Sequence, residues 1–257
     1  MSDVGTWAWA ERTHGRLSRR DRMELIRQGV IARLSRLAFR WRPPGVGSQR
    51  TLEFPVPPDS RLAREAEQHV RELSSPVLYG HCLRTWAFAA LFAQRDAVAH
   101  DPELLYLACV LHDLGLTDAH NGQDATAACF AVEGARAADS LLRGWDLPAP
   151  RSVVVAEAIC LHLNITVPGR MGAEAALLSK GVMLDVVGRR IEQLPSEQVS
   201  GVTTRWPRDG SGALLVDETK RQAAVRPDSR AALMQRLGFT ELVAGHPLDG
   251  SVDLLTP

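Results

Sequence analysis

The sequence has no run of eighteen apolar residues, no short apolar stretch of the secretion-signal kind, and no CxxC pair. The first absence excludes a membrane-spanning helix by length, and the second gives no reason to expect export. Only four cysteines occur, Cys82, Cys109, Cys129 and Cys160, each in an apolar or helical setting. They read as reduced core thiols rather than a disulfide framework. Net charge is also missing, because thirty basic residues balance thirty acidic ones, so the overall balance offers no footprint for nucleic acid or a membrane surface. No core segment sustains the alternation of a half-buried strand, and we find no internal repeat or low-complexity tract. The expectation is a cytoplasmic, soluble, all-α protein acting on a small molecule, with no nucleic-acid or membrane partner and with self-association left open.

What is present is an ordinary globular composition, 45% hydrophobic and 23% charged, in a chain long enough to bury a substantial core. Residues 1–50 hold eleven arginines against Asp3, Glu11, Asp21 and Glu24. We read this excess as a solvated helix face, with an anionic-surface site or an organellar transit segment as the alternatives. Met23, Ile26, Val30, Leu34 and Leu37 fall at helical spacing and predict an amphipathic helix over about 21–39. The stretch "RPPGVGSQRTLEFPVPPDS" carries five prolines and two glycines in nineteen residues, which rules out a long regular element there.

Ser60 caps a predicted helix over about 61–72, and Ser75-Pro76 and Asp101-Pro102 each place a capping side chain before a proline at the first helical position. Further helices are predicted over about 124–144, 152–163 with Ser152 as its cap, and 173–187. After Gly188 the pattern weakens, so that apart from a short helix over about 228–237 the remainder reads as an irregular, wrapped tail. This gives three regions: an arm and linker over 1–59, a helical core over 60–190, and an extension over 191–257.

The chemistry begins at "VLHDLGLTDAH", where His112 and Asp113 end an otherwise apolar helix. A buried carboxylate without a partner is too costly to be incidental, so Asp113 needs a cation, either an arginine or a metal. Adjacent helical residues point about 100° apart, so the pair can hold one ion only at a helix end, and Gly115 follows at once. Three other apolar helices each contribute a polar group. His81 lies in "YGHCLRT" with Arg84 and Thr85 on its face, His162 ends "VVVAEAICLH", and Asp185 sits in "KGVMLDVVG". Singly, each histidine reads as hydrogen-bonded core and each aspartate as a cap or an arginine partner; four such groups together suggest convergence on one interior point.

In the order His81, His112-Asp113, Asp185, each on its own helix, the chain resembles the HD-domain superfamily of metal-dependent hydrolases over about residues 60–190. Within that superfamily "SSPVLYGHCLRTWAF", "FAVEGARAA", "AICLH" and "LDVVG" are similar to the cyanamide hydratase-like group. The resemblance implies an HD helical bundle with metal ligands at His81, His112, Asp113 and Asp185. It also implies one divalent ion, Zn2+ first, with Fe2+, Mn2+ and Ni2+ as alternatives. Dinuclear branches have a histidine four positions before the Gly-Ala pair after the doublet; here that position is Phe130, which argues for a single metal. The implied reaction is addition of metal-activated water to a small nitrile, with His162 polarising the substrate or carrying a proton, Asp113 orienting the water, and Arg84 holding an anionic group or buttressing Asp113. Glu133 is a further candidate acid/base, with a surface ion pair as the competing reading, and His120 is a loop neighbour rather than an assigned site residue. The competing functions are an HD-type phosphohydrolase acting on a nucleotide or phosphate ester, a single-metal oxygenase, and a binding module that keeps only the fold.

Overall fold

The computed structural model describes residues 3–39 and 51–249, and all of its regular elements are helical. Helix α1 (Trp7–Thr13) and helix α2 (Arg19–Phe39) form the arm. On the expected face of α2, Ile26 packs against the core next to buried Leu25, Met23 and Val30 are 66% and 51% exposed, and the side chains of Leu34 and Leu37 lie outside the described residues. Residues 40–50, which include the first nine of the proline-rich stretch, and residues 250–257 lie outside the described residues.

Helix α3 (Arg61–Leu73), helix α4 (Pro76–Asp96) and helix α5 (Pro102–Leu111) start where the caps require. Ser60, Ser75 and Asp101 each accept a backbone N–H from the first turn, a contribution of about 1 kcal/mol per cap. Every residue of α5 from Leu104 to Leu111 is buried, which is why its sequence is apolar all round rather than on one stripe. A single turn of 3-10 helix over Leu114–Leu116 follows.

Helix α6 (Phe130–Gly144) begins later than the expected 124, because residues 117–129 are occupied by turns. Helix α7 (Ala149–Leu161) begins earlier than expected. Pro148 precedes it, and Ser152, read as the cap, lies inside it and donates to Asp139 at 2.6 Å. Helix α8 (Ala173–Val187) has the expected bounds and ends on Gly188 in the left-handed region, the usual stop for a helix.

The extension is not the irregular tail that its sequence suggested. It carries helix α9 (Ser196–Arg205), helix α10 (Ser211–Val225), helix α11 (Arg230–Arg236) and helix α12 (Phe239–Ala244). Helix α11 matches the short helix expected over about 228–237, while α9 and α12 are too short for a period to stand out and α10 follows a turn-rich stretch with proline and glycine. Trp9, Leu17 and Leu25 of the arm and Val202, Val216 and Val243 of the extension join the same apolar core as α4, α5, α7 and α8. Arg230, itself buried, donates to the Cys160 carbonyl and stacks over Trp9, so arm, α7 and extension are clamped at one point.

Two glycines set the spacing of the site-bearing helices. A Cβ on Gly181 of α8 would lie 2.2 Å from the Thr85 carbonyl oxygen of α4, and one on Gly115 would lie 2.0 Å from the Phe130 carbonyl oxygen of α6. Both contacts are with backbone, which cannot swing aside. Gly181→Ala is therefore expected to lower stability by about 2–3 kcal/mol, read as a reduced urea midpoint at unchanged slope; an unaltered midpoint would show that α4 and α8 do not pack this closely.

Candidate metal centre

His81 projects from the second turn of α4, whereas His112 and His162 are each the residue immediately after a helix, α5 and α7 respectively. A helix end leaves carbonyls without intrahelical partners, and both histidines use one: His112 Nδ1 lies 2.8 Å from the Cys109 carbonyl oxygen, and His162 Nδ1 lies 2.6 Å from that of Ile159. A carbonyl only accepts, so each Nδ1 carries a proton and each ring turns its Nε2 the other way. His81 Nδ1 likewise lies 2.7 Å from Asp185 Oδ2. At Asp113 the backbone leaves the helix, with φ −106° and ψ 18°, so two adjacent residues can face one point.

The result is a convergence of acceptors. The Nε2 atoms of His81 and His112 are 3.2 Å apart, and Asp113 Oδ2 is 3.4 Å from the first and 3.2 Å from the second. His162 Nε2 is 3.7 Å from Asp113 Oδ1. All four side chains are buried. Lone pairs and a carboxylate cannot face one another at such distances without a shared proton or cation. His81, His112 and Asp113 together could hold a metal ion, and imidazole with carboxylate is the donor set for a divalent transition metal.

The electrostatics agree with that reading. Burial opposes charge on His112, but the Asp113 carboxylate outweighs it and raises the imidazole well above its ordinary range. Burial would raise Asp113, yet His112, then His81 and His162, hold it far below the usual carboxylate range. Burial, reinforced by His112, pushes His162 down to about 3 and keeps it neutral. The cluster thus retains a proton that a divalent cation would replace.

Asp185, a ligand in the set implied by the resemblance, stands behind His81 rather than beside the cluster. Its Oδ1 accepts from Arg84 Nε at 2.7 Å and Arg208 at 2.8 Å, and its Oδ2 accepts from Arg84 at 3.0 Å while meeting His81 Nδ1. Burial would raise its pKa, but Arg84, then His81 and Arg208, hold it far below the ordinary range. A carboxylate so saturated orients and polarises a ligating histidine from the side away from the ion. Arg84 accordingly buttresses Asp185, not Asp113, and spends its other donors on Ser211 and the Pro207 carbonyl. Arg208 was not foreseen; it lies in a turn-rich stretch, and the one signal for it was that a carboxylate buried as deeply as Asp185 demands more than one cation.

Glu133 meets the ion-pair reading. It is buried but takes no part in the cavity wall, its carboxylate being held by Arg226 and by the Asp124 N–H. His120 is likewise absent from the wall and has its ring beside that of His69. Phe130 does line the cavity, its ring centroid 5.9 Å from that of His162.

Asp185→Asn tests the buttress. The amide keeps the size but weakens both the attraction to Arg84 and Arg208 and the hold on His81, so metal affinity is expected to fall by about 10–100-fold, measured by competition with a chelator. Unchanged affinity would remove Asp185 from the centre.

The HD-domain family model matches residues 78–184, a span that contains His81, His112, Asp113 and His162 and stops one residue short of Asp185. Two cyanamide hydratases of Saccharomyces cerevisiae, DDI2 and DDI3, are each 30% identical to the chain over 169 residues, covering 64% of this chain and 74% of each relative. With the all-helical bundle and the His-Asp doublet at the end of its central helix, the chain belongs to the HD-domain superfamily, as a cyanamide hydratase-like member.

Proposed function

We propose that this protein is a mononuclear metal-dependent hydratase that adds water to a nitrile carbon, with His81, His112 and Asp113 holding the ion. The observation that carries this reading is the convergence of three imidazole Nε2 atoms and one carboxylate in the wall of a largely apolar cavity. Zinc is the ion first expected for such donors, with Fe2+, Mn2+ and Ni2+ behind it. When bound, the ion supplies Lewis acidity and brings the pKa of a water molecule toward neutrality. Phe130 occupies the sequence position at which the dinuclear branches have a histidine, which favours one ion over two.

Asp113 turns one carboxylate oxygen to the two imidazoles and the other toward His162, so it orients a water between them. His162 is neutral, and its Nε2 accepts a proton as the water oxygen bonds to the nitrile carbon. The same atom returns that proton to the nitrile nitrogen, and a second proton shift from oxygen to nitrogen leaves the amide, with no group expelled. Asp185 is a positioning residue acting through His81, and Arg84 acts through Asp185. The four cysteines, all buried and unpaired, suit the cytoplasmic location we assign, and among the described residues no helix is long and apolar enough to cross a membrane.

A phosphohydrolase would need cations around the transferring phosphoryl oxygens. Among the described residues the cavity wall offers one arginine, Arg189. Arg84 and Arg208 are engaged with Asp185, and Lys180 pairs with Asp96 at 2.6 Å. The balance favours a weakly charged substrate.

The test is elemental analysis of the purified protein followed by a panel of cyanamide, other nitriles and nucleotides. We expect about one metal per chain and an amide or urea product from nitriles. Phosphate release from nucleotides without nitrile turnover would overturn the assignment, and a protein that stays metal-free and indifferent to added ions would remove the catalytic reading altogether.

A further inference from the structure

The cavity beside the cluster is larger and greasier than cyanamide requires. Its volume is about 210 Å³, many times the roughly 15 Å³ that admits one water molecule. Cyanamide has no carbon beyond its nitrile. Apart from the three histidines and Asp113, the described wall has two polar side chains, Arg189 and Thr219, and the Thr219 hydroxyl is already donated to the Leu215 carbonyl at 2.7 Å. The remaining wall is apolar and comes from six helices, α2, α6, α8, α10, α11 and α12, together with the segments after α5 and α7.

The cavity is also graded from end to end. The histidines and Asp113 are buried, whereas Val30 of α2 and Leu242 of α12, in the same wall, are 51% and 41% exposed. An apolar passage therefore leads from an exposed rim to the one polar patch. A pocket of this kind is built for a molecule with one polar, reacting end and an apolar body. Water alone gains little there, since such a lining offers few hydrogen bonds.

We infer that the preferred substrate is a nitrile carrying an aliphatic or aromatic group of about benzyl size or larger, with the nitrile at the His112-Asp113 end and the apolar body among the side chains of α10, α11 and α12. The nitrile half of this inference rests on the function proposed above; the apolar half rests on the cavity alone. It also assigns a role to the arm and the extension, which supply wall that the α4, α5, α7 and α8 core lacks.

The two halves are tested separately with the metal-loaded full chain. Isothermal titration calorimetry with phenylacetamide and acetamide, which present the product amide with and without an aromatic body, is expected to give at least about tenfold tighter binding of phenylacetamide. Met234→Trp and Leu215→Trp, which fill the cavity from two different helices, are expected to erase that preference while the metal content stays at the wild-type level; Met234 is only partly buried, so its variant keeps the test alive if the other does not fold. In turnover, kcat/KM for phenylacetonitrile should exceed that for cyanamide, and the ratio should fall in both variants. Equal affinity for the two amides, or a preference that survives both tryptophans, overturns the inference. Cyanamide hydration without any preference for the phenyl compounds leaves the proposed reaction standing and removes this one; phenylacetamide selectivity without hydration of any nitrile upholds the cavity and removes the reaction.

Discussion

His112→Ala is expected to lower kcat/KM by roughly a thousandfold or more and to strip the protein of its metal. The residue lies just beyond the last turn of α5 and makes no contribution to that helix's internal ladder, so circular dichroism should be nearly unchanged. Two things are lost at once. The Nε2 lone pair 3.2 Å from both His81 Nε2 and Asp113 Oδ2 disappears, and the Cys109 carbonyl loses its partner, a deficit of about 1 kcal/mol. The second is too small to unfold the chain, so activity and metal content should collapse while the fold persists. Full activity in this variant would mean that the site lies elsewhere.

Arg84→Met is expected to have the largest effect on stability, about 3–5 kcal/mol. The methionine replaces the hydrocarbon stem but leaves Asp185 with two fewer bonds and the Pro207 carbonyl and Ser211 hydroxyl without their donor. Arg208 and His81 still face the carboxylate and hold the loss to that range. The pH dependence separates an electrostatic loss from a packing loss. In the wild type the folded pKa of Asp185 is depressed, so its contribution is present above the unfolded carboxyl pKa and is lost only as pH falls through the depressed folded value. Removing Arg84 raises the folded pKa. The deficit should therefore be greatest near neutral pH and narrow as acid protonates Asp185 in the variant first. Because Arg208 and His81 still hold Asp185 in the variant, the narrowing begins only below the ordinary carboxyl range; a deficit that stays constant to the lowest pH at which both proteins remain folded in chemical denaturation would mean that Arg84 acts by packing alone.

The elements whose helices came directly from local signals were those with strong caps and long apolar periods. Ser60, Ser75-Pro76 and Asp101-Pro102 announce α3, α4 and α5 because capping satisfies backbone donors within one turn of the side chain concerned. The late start of α6 and the early start of α7 were hidden because turn chemistry around Asp124 and a proline before Ala149 outweigh the apolar period at those ends. In the extension only α11 is legible, as the short helix over about 228–237; α9 and α12 are too short for a period to stand out, and α10 lies in a turn-rich setting, so their burial is decided by the core they cover.

The same division runs through the site. His81, His112, Asp113 and His162 were legible because a polar residue in an apolar helix has to be explained by something it meets. Asp185 is legible as a member of the group, but spacing along α8 does not say that it meets His81, Arg84 and Arg208. Glu133 beside Gly134 looked inward-facing, and it is, but toward Arg226.

By itself the sequence determined the all-helical class, the order of the core helices and five buried polar candidates, His81, His112, Asp113, His162 and Asp185, because these depend on capping, periodicity and the cost of burying polar groups, all of which act within a few residues. Only the tertiary structure decided which nitrogen of each histidine faces the centre, that two arginines turn Asp185 into a buttress, and that arm and extension close an apolar cavity over the cluster. Those outcomes depend on groups as far apart in the chain as Arg84 and Arg208 or Val30 and Leu242 meeting across the core, and no local pattern encodes such a meeting.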